Sequence, residues 1–283
     1  MQLLFIILQY LIPQHALSRL VAKLADSEVP WIKNTFIEWF HRRYQVDMSE
    51  AVEPDPLLYP SFNAFFTRAL KPDARPLEGG NETVVSPADG AISQLGPITG
   101  GRILQAKGQT YSALELLGGD PLLAQRFEGG SFATIYLAPK DYHRVHMPVA
   151  GTLRQMTYVP GQLFSVNQAT AANVPRLFAR NERLVCLFDT DFGPVAVVLV
   201  GAMIVAGIET TWAGQVAPPP RSVATLRYGE LLAPVRLERG EELGRFKLGS
   251  TVILLFGRDA LRWSEALAPD SVLRMGRALG TRA

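Results

Sequence analysis

A glycine-serine step near the C-terminal end of the chain offers an unusual chemical possibility. Gly249-Ser250 lies between the basic turn Gly244–Lys247 and an apolar segment that begins at Thr251. The Ser250 hydroxyl can attack the unshielded Gly249 carbonyl and give an ester. Elimination from that ester leaves a dehydroalanine, which hydrolyses to a pyruvoyl group at a new N-terminus. The dipeptide alone equally fits a turn that leads into a strand, because glycine and serine are common turn residues.

Two other blocks supply an acid and two imidazoles. Asp89 lies in the turn 86–92, and His143 and His146 lie in the block 141–148. A serine, a histidine and an acid form an activated nucleophile, in which the histidine takes the hydroxyl proton and the acid orients the histidine. Each residue alone also has an ordinary interpretation: Asp89 as a turn cap, and the histidines as half-buried residues at the end of a strand.

The two histidines also have a weak metal-ligand spacing. Cys186, the sole cysteine, lies in the apolar run 184–188, which indicates a core residue rather than a ligand. A zinc site therefore has little support, and we predict no metal.

Taken together, these blocks resemble the bacterial phosphatidylserine decarboxylase family. The processing motif Leu-Gly-Ser-Thr is Leu248–Thr251, the Pro-Ala-Asp-Gly turn is Pro87–Gly90, and the Tyr-His-Arg-Val-His-Met-Pro block is Tyr142–Pro148. Further similar segments are 103–108, 158–161, 163–167, 173–175 and 177–183. The tetrapeptide is weak evidence alone, but the acid and histidine blocks in the same order make it specific.

The resemblance implies a proenzyme (zymogen) of phospholipid biosynthesis. Autocatalytic cleavage between Gly249 and Ser250 would convert Ser250 into a covalent pyruvoyl cofactor. That carbonyl forms a Schiff base with phosphatidylserine, accepts the electrons left at Cα, and so permits release of CO2 and formation of phosphatidylethanolamine. The expected partners are phosphatidylserine, a membrane lipid surface, the chain's own cleaved α and β pieces, and a possible homodimer.

The resemblance also distributes roles among the site residues. His146 is expected to act as the base of self-cleavage with Asp89 as its orienting acid, and His143 is expected to protonate Cα after decarboxylation. An imidazole with an ordinary pKa of about 6.5 can supply a proton near neutral pH. The spacing of the two histidines alone does not distinguish their roles.

Composition is consistent with a globular, reduced protein. The chain has 283 residues, of which 48% are hydrophobic, so it can bury a large core. One cysteine excludes an internal disulfide framework. The net charge of +2 and the absence of a recognisable motif argue against a nucleic-acid partner.

The N-terminal region predicts helices that lie on a membrane surface. The apolar run that ends at Pro13 is shorter than the roughly 20 residues of a spanning helix, and it lacks the basic start of a signal peptide. Two amphipathic stripes follow, with five Lys or Arg and three Asp or Glu across residues 1–44. Periodicity fits interfacial helices and an ordinary packed helical layer about equally. The lipid substrate of the resembling family favours the first, peripheral on the cytoplasmic side of the cell membrane.

The remainder of the chain predicts strands. Apolar or alternating segments punctuated by Gly, Pro or Asp are Thr83–Val85, Ala91–Leu95, Phe132–Leu137, Leu184–Phe188, Val195–Val200, Met203–Ile208 and Thr251–Phe256. Short helices are predicted at Ser112–Leu117, Leu163–Ala172 and Ser264–Leu267. The predicted fold class is α+β, with N-terminal amphipathic helices followed by a mostly antiparallel β domain. We place a membrane-associating region at residues 1–60 and a catalytic domain at 61–283.

Two other functions fit part of the pattern. A serine hydrolase that uses Ser250, His146 and Asp89 would keep an intact chain, although the chain lacks the Gly-x-Ser-x-Gly elbow because Leu248 stands two residues before the serine. A non-catalytic membrane-binding β protein would also stay intact and would carry no carbonyl group.

Overall fold

A computed structural model of the chain describes residues 2–203, 207–216, 221–229, 232–247 and 250–283. Its helices are α1 (Gln2–Leu11), α2 (Gln14–Ala25), α3 (Pro30–Tyr44), α4 (Phe62–Phe66), α5 (Ala113–Leu116), α6 (Pro121–Gln125), α7 (Gln168–Ala171) and α8 (Leu177–Arg180), with a 3-10 turn at Pro56–Leu58.

The strands occupy most of the chain after residue 80. They are β1 (Thr83–Val85), β2 (Gly90–Pro97), β3 (Arg102–Ala106), β4 (Gln109–Ser112), β5 (Ser131–Leu137), β6 (Arg144–His146), β7 (Gly151–Val159), β8 (Arg183–Thr190), β9 (Gly193–Val200), β10 (Gly207–Thr210), β11 (Gly214–Gln215), β12 (Ala224–Arg227), β13 (Val235–Leu237), β14 (Glu242–Lys247), β15 (Ser250–Phe256), β16 (Leu261–Trp263), β17 (Val272–Leu273) and β18 (Ala278–Arg282).

An antiparallel nine-stranded sheet forms the centre of the molecule. Its order is β12-β7-β8-β9-β15-β5-β2-β17, and β13 also pairs with β7. The middle strands β9 and β15 read as nearly continuous apolar runs, and the side chains of residues 195–200 and 251–256 are buried on both faces of the sheet. Such runs are typical of strands that are covered on both sides.

Each face of this sheet has its own core. On one face, Val252 and Leu254 of β15 pack with residues of β1, β10, β14 and β18. On the other face, Ile253 and Leu255 pack with residues of α5–α8 and with Ile6 of α1. The alternation along β15 therefore assigns successive residues to opposite layers.

Two smaller sheets complete the β domain. One has the order β11-β10-β14-β6 and the other the order β1-β18-β16, and β3 and β4 form a separate hairpin. The chain passes from β14 in the four-stranded sheet to β15 in the nine-stranded sheet, so the predicted cleavage position joins two sheets.

The N-terminal helices form an aromatic layer of their own. α2, α3 and α4 pack around Ile37, Phe40, Phe62 and Phe66. Proline sets the boundaries, since Pro13 separates α1 from α2 and Pro30 occupies the first turn of α3. Among the described residues, no helix combines the length and apolar content that crossing a bilayer requires.

The predicted α+β class is confirmed, with helices first and antiparallel strands after. The strands predicted from 83, 91, 132, 184, 195 and 251 are present, and Cys186 is buried in β8 as expected. The helix predicted at Ser112–Leu117 is α5, which begins with a capping box between Ser112 and Glu115.

Three predicted elements were wrong in part. The helix predicted at Leu163–Ala172 is limited to α7, because the backbone amides of Leu163, Phe164 and Ser165 are taken by side-chain oxygens of Gln14, Asn181 and Gln9. Ser264–Leu267 forms a single turn closed by Leu267 N–H and Ser264 C=O. Met203 lies in a turn, and the strand predicted there begins at Gly207, with residues 204–206 outside the described ranges.

Candidate active site

The acid and the serine lie at one end of the central sheet. β2 begins at Gly90, directly after Asp89, and Ala91 pairs with Tyr136 of β5. On the other side of β5, Ser250 pairs with Leu137. Since neighbouring strands are about 4.8 Å apart, Asp89 and Ser250 flank the end of β5 at about two strand spacings. Leu248 and Gly249 lie outside the described residues, and for Ser250 only the backbone is described.

The turn that leads into β2 requires glycine at position 90. A Cβ at this position would lie 2.2 Å from the carbonyl oxygen of Tyr136. The β2 backbone therefore approaches β5 more closely than any other residue type permits. This close approach fixes Asp89 beside the end of β5.

Backbone hydrogen bonds bring the histidine block to the same end. The His146 amide donates to the Pro87 carbonyl oxygen at 2.8 Å, two residues before Asp89. The Phe246 amide donates to the His143 carbonyl oxygen at 3.0 Å, four residues before Ser250. β6 is thus held between the acid turn and the strand that leads to the serine.

The Asp89 carboxylate is bound by three N–H donors. Arg75 Nε and the Met275 amide each donate to Asp89 Oδ1 at 2.8 Å, and Arg75 Nη2 donates to Oδ2. Arg75 also pairs with Glu50 at 2.8 Å. Burial alone would lower the pKa of Arg75, but the hydrogen bonds and charges of Asp89 and Glu50 raise it. The guanidinium therefore stays charged and fixes the Asp89 side chain.

His146 has both ring nitrogens engaged, but not by Asp89. Nδ1 lies 2.8 Å from the Gly240 carbonyl oxygen, and Nε2 lies 3.0 Å from the Tyr142 hydroxyl. A carbonyl oxygen only accepts, so Nδ1 carries the proton and Nε2 presents its lone pair to the hydroxyl. Burial lowers the pKa of His146, which keeps the ring neutral near pH 7. The direct Asp89–His146 contact expected from the sequence is thus replaced by Gly240 and Tyr142.

His143 is fully buried and has one unpartnered nitrogen. Nδ1 donates to the Asp141 carbonyl oxygen at 2.8 Å, and the Phe66 ring centroid lies 4.0 Å from the imidazole. Nε2 has no hydrogen-bond partner among the described residues. Burial lowers the pKa of His143 to about 3, so the ring is neutral with a free lone pair.

Comparison with known proteins identifies the family. A family model described as phosphatidylserine decarboxylase matches residues 62–281, which is more than half of the chain. The chain belongs to the phosphatidylserine decarboxylase family. A second family model, described as PSD, matches residues 4–45, which contain most of α1 and all of α2 and α3.

Curated relatives in this family extend over nearly the whole chain. Each of the following is named phosphatidylserine decarboxylase proenzyme. The protein of Pseudomonas fluorescens is 66% identical over 278 residues, covering 98% of this chain and 96% of its own length. That of Pseudomonas entomophila is 66% identical over 281 residues, covering 99% and 98%. That of Azotobacter vinelandii is 63% identical over 278 residues, covering 98% and 97%.

Several residues around the site were not predicted from the sequence. Arg75 and Phe66 contact Asp89 and His143 from the segment before β1, where no spacing or motif marks them. Tyr142 lies inside the histidine block, but its hydroxyl contact to His146 depends on the turn of the chain. Of these three residues, only Tyr142 lies in a block that was singled out from the sequence.

Proposed function

We propose that the chain is a proenzyme that cleaves itself between Gly249 and Ser250 and then converts phosphatidylserine into phosphatidylethanolamine and CO2. The observation that carries the proposal is the convergence of Asp89, His143, His146 and the start of β15 at one end of β5. Membership of the family and the proenzyme name of its relatives support the same reaction.

Self-cleavage requires a base near the serine hydroxyl. We assign this role to His146, whose Nε2 lone pair takes the hydroxyl proton as the oxygen attacks the Gly249 carbonyl and the peptide nitrogen leaves as an amine. Removal of the Ser250 Cα proton then breaks the ester C–O bond and releases residues 1–249 with a C-terminal carboxylate. Water replaces nitrogen at the former Ser250 Cα, ammonia departs, and the pyruvoyl group remains at the start of β15.

Asp89 acts on His146 without touching it in our proposal. Its negative charge raises the proton affinity of His146, against the larger effect of burial. The bidentate contact with Arg75 holds that charge in place. Asp89 is therefore a positioning and electrostatic residue of the cleavage step.

The surroundings of Ser250 fit a buried carbonyl cofactor. The unpartnered Nε2 of His143 is a buried polar atom on the block that is tied to β14, four residues before Ser250. When present, the pyruvoyl carbonyl supplies the electron sink for the pair left at Cα by departing CO2. His143, being neutral, accepts a proton at Nε2 from the substrate ammonium and returns it to Cα after decarboxylation.

The two products of cleavage stay assembled in this fold. The α chain, residues 250–283, contributes β15, β16, β17 and β18 to two sheets. β15 alone pairs with β5 over seven residues and with β9 over six. Homodimer formation stays a prediction.

The N-terminal helices are proposed to hold the protein on the cytoplasmic surface of the cell membrane. Large apolar side chains of α1–α3 remain exposed, including Leu11 at 74%, Leu20 at 57%, Trp31 at 73% and Trp39 at 55%. Arg19, Lys23, Arg42 and Arg43 lie on the same helices, so anionic headgroups would add to the apolar contacts. This surface supports a membrane-associating region within residues 1–60 and a catalytic domain in 61–283.

A single preparation tests the reaction. Purified protein is mixed with phosphatidylserine in detergent micelles, and CO2 and phosphatidylethanolamine are measured beside a denaturing gel and intact masses. We expect pieces of 1–249 and 250–283, a pyruvoyl mass at the second piece, and CO2 release. Ser250→Ala is expected to stay uncut and inactive. Full activity in uncut protein, or hydrolysis of esters without CO2, would refute the proposal and favour a serine hydrolase.

A further inference from the structure

Arg68 is a buried cation with spare hydrogen-bond donors. Its relative exposure is 4%, and Nη2 donates to the Lys140 carbonyl oxygen at 3.1 Å. Nε has no hydrogen-bond partner among the described residues, and no ion pair in those residues includes Arg68. Burying an unpaired charge is costly, so fold stability alone does not account for this residue.

Two other buried arginines show how the fold usually satisfies such a group. Arg75 pairs with Asp89 and Glu50. Arg183 directs Nε, Nη1 and Nη2 to the carbonyl oxygens of Leu116, Asn181 and Glu115. Arg68 has one carbonyl contact and the Phe65 ring, whose centroid lies 5.9 Å from the guanidinium carbon, in place of these sets, which leaves Nε without a hydrogen-bond partner among the described residues.

The free part of Arg68 belongs to the surroundings of His143. Arg68 follows Phe66 by two residues, and the Phe66 ring packs on His143. Lys140, which accepts from Arg68, is adjacent to Asp141, whose carbonyl oxygen accepts from His143 Nδ1. Two successive carbonyl groups therefore hold Arg68 and His143, and each of these side chains has one unpartnered buried nitrogen.

The nearby acidic side chains form no ion pair with Arg68 among the described residues. Asp89 is bound by Arg75 and the Met275 amide, and the Asp141 carboxylate accepts the Ala138 amide at 2.7 Å. Burial lowers the pKa of Arg68, and the nearby Tyr59 and the charges of Asp89, Asp141 and Asp47 oppose that effect through space. An external anion is thus the group missing from this site.

We propose that Arg68 binds the phosphodiester of the substrate headgroup and so places the reacting carbon beside His143. The inference rests on the proposed function and names its headgroup-binding residue. A guanidinium fork matches two phosphate oxygens, and in phosphatidylserine only one oxygen and one carbon separate phosphorus from Cα.

The other anion of the substrate, the serine carboxylate, is a poorer match. A cation held on that carboxylate would stabilise the ground-state charge that decarboxylation has to remove, and would slow the reaction. The phosphodiester keeps its charge throughout, so its binding positions the substrate without opposing the chemical step.

The test compares Arg68→Gln and Arg68→Lys with Arg183→Lys as the burial-matched control. Self-cleavage is first confirmed by gel for each protein, and decarboxylation is then measured in micelles. We expect Arg68→Gln to raise KM for phosphatidylserine by about 10- to 100-fold with kcat changed much less, Arg68→Lys to lie between, and the control to keep the wild-type KM.

Competition by soluble headgroups separates the two anions. Glycerophosphoethanolamine carries the phosphodiester without the carboxylate, and L-serine carries the carboxylate without phosphate. We expect Arg68→Gln to weaken inhibition by the first by the same factor as the change in KM, and to leave inhibition by the second unaltered. The reverse pattern would assign Arg68 to the carboxylate and overturn the proposal.

The remaining outcomes are also decisive. An unchanged KM in cleaved Arg68→Gln would overturn the proposal while leaving the decarboxylase function intact, because wild-type CO2 release tests that function separately. Failure of both Arg68 variants to fold or to self-cleave would show that the residue serves the precursor rather than the substrate, and would equally overturn it.

Discussion

At the scale of single residues, the two histidines have different neighbours although only two residues separate them. His146 faces Tyr142 and Gly240, whereas His143 faces Phe66 and Asp141. His146 lies in β6 and His143 lies just before that strand, so the two rings meet different surroundings. The structure thus gives each imidazole a separate environment, which is what two separate roles require.

Substitution of each histidine tests this division. We expect His146→Ala or Asp89→Asn to slow self-cleavage by about 10²–10⁴-fold, the usual contribution of a positioned base. His143→Ala should still cleave, at least partly, and then decarboxylate poorly by a similar factor. Intact-mass spectrometry over time reports cleavage, and CO2 release reports turnover. Loss of cleavage in His143→Ala with normal cleavage in His146→Ala would reverse the two roles.

The Tyr142 hydroxyl contacts the imidazole that we propose as the base of self-cleavage. This hydroxyl donates at 3.0 Å to Nε2 of His146, the atom that we propose accepts the serine proton. Burial raises the pKa of Tyr142 to about 12, so the phenol stays protonated and keeps donating. Breaking such a bond costs about 1 kcal/mol, and Tyr142→Phe is expected to cleave about fivefold faster. The time course of cleavage after rapid synthesis measures this, and a slower variant would instead indicate that Tyr142 relays the proton.

The sequence predicts which residues could react, but it does not predict the residues that hold them in position. Asp89, the two histidines and Ser250 stand in blocks that can be read along the chain. The Arg75 and Gly240 contacts join positions 14 and 94 residues apart in sequence, so they exist only after the sheets assemble. This explains why Tyr142 and Gly240, rather than the orienting acid suggested by the sequence, are the hydrogen-bond partners of His146.

At the scale of elements, long apolar strands were predictable and short helices were not. β9 and β15 are recognisable because the sheet buries both of their faces. A helix was predicted to include the segment 163–165, but its amides bind side chains of Gln9 in α1, Gln14 in α2 and Asn181. Tertiary hydrogen bonds therefore override local preference there. The division of the chain at residue 60 stays a prediction.

The exposed face of α3 is expected to contribute to membrane binding. Trp31 and Trp39 line a surface groove of about 570 Å³ together with Arg42 and Arg43. Burying a large apolar side chain contributes about 1.5–3 kcal/mol. We expect Trp31→Gln/Trp39→Gln to weaken flotation with anionic liposomes by at least tenfold, and high salt to reduce wild-type binding only modestly.

A matched control is available on the β domain. Leu122 is 77% exposed but lies far in sequence from the N-terminal helices, and Leu122→Gln is expected to float like the wild type. Equal flotation of the tryptophan variant and this control would remove α3 from the membrane-binding surface.

At the scale of the whole molecule, the buried histidines make stability depend on pH. His143 has a pKa of about 3 in the folded chain and an ordinary value of 6.5. Between these values the unfolded chain takes up a proton that the folded chain does not. The contribution of neutral His143 to the free energy of unfolding is therefore complete above pH 6.5. It is lost by about 1.4 kcal/mol per pH unit as the pH falls below that value.

Urea unfolding of the uncut Ser250→Ala protein at pH 7, 6 and 5 measures this dependence. The double variant Ser250→Ala/His143→Gln should be less stable than Ser250→Ala at pH 7. The difference in unfolding free energy between the two proteins should decrease toward pH 5, because the double variant lacks the titrating ring. Parallel stability curves for the two proteins would contradict the assignment of a depressed pKa to His143.

The junction between β14 and β15 determines whether the protein can refold after cleavage. The precursor folds with the two sheets tied by one covalent segment, so their docking is intramolecular. After the proposed cleavage, the last 34 residues (283 − 249 = 34) would be held by noncovalent contacts alone, including strand pairing, packing and the Met275–Asp89 hydrogen bond. Unfolded product then has to find its partner by collision, at a rate that depends on concentration. The proposed cleavage would therefore leave an enzyme whose lifetime depends on slow unfolding, and enzyme that unfolds would have to be replaced by new synthesis.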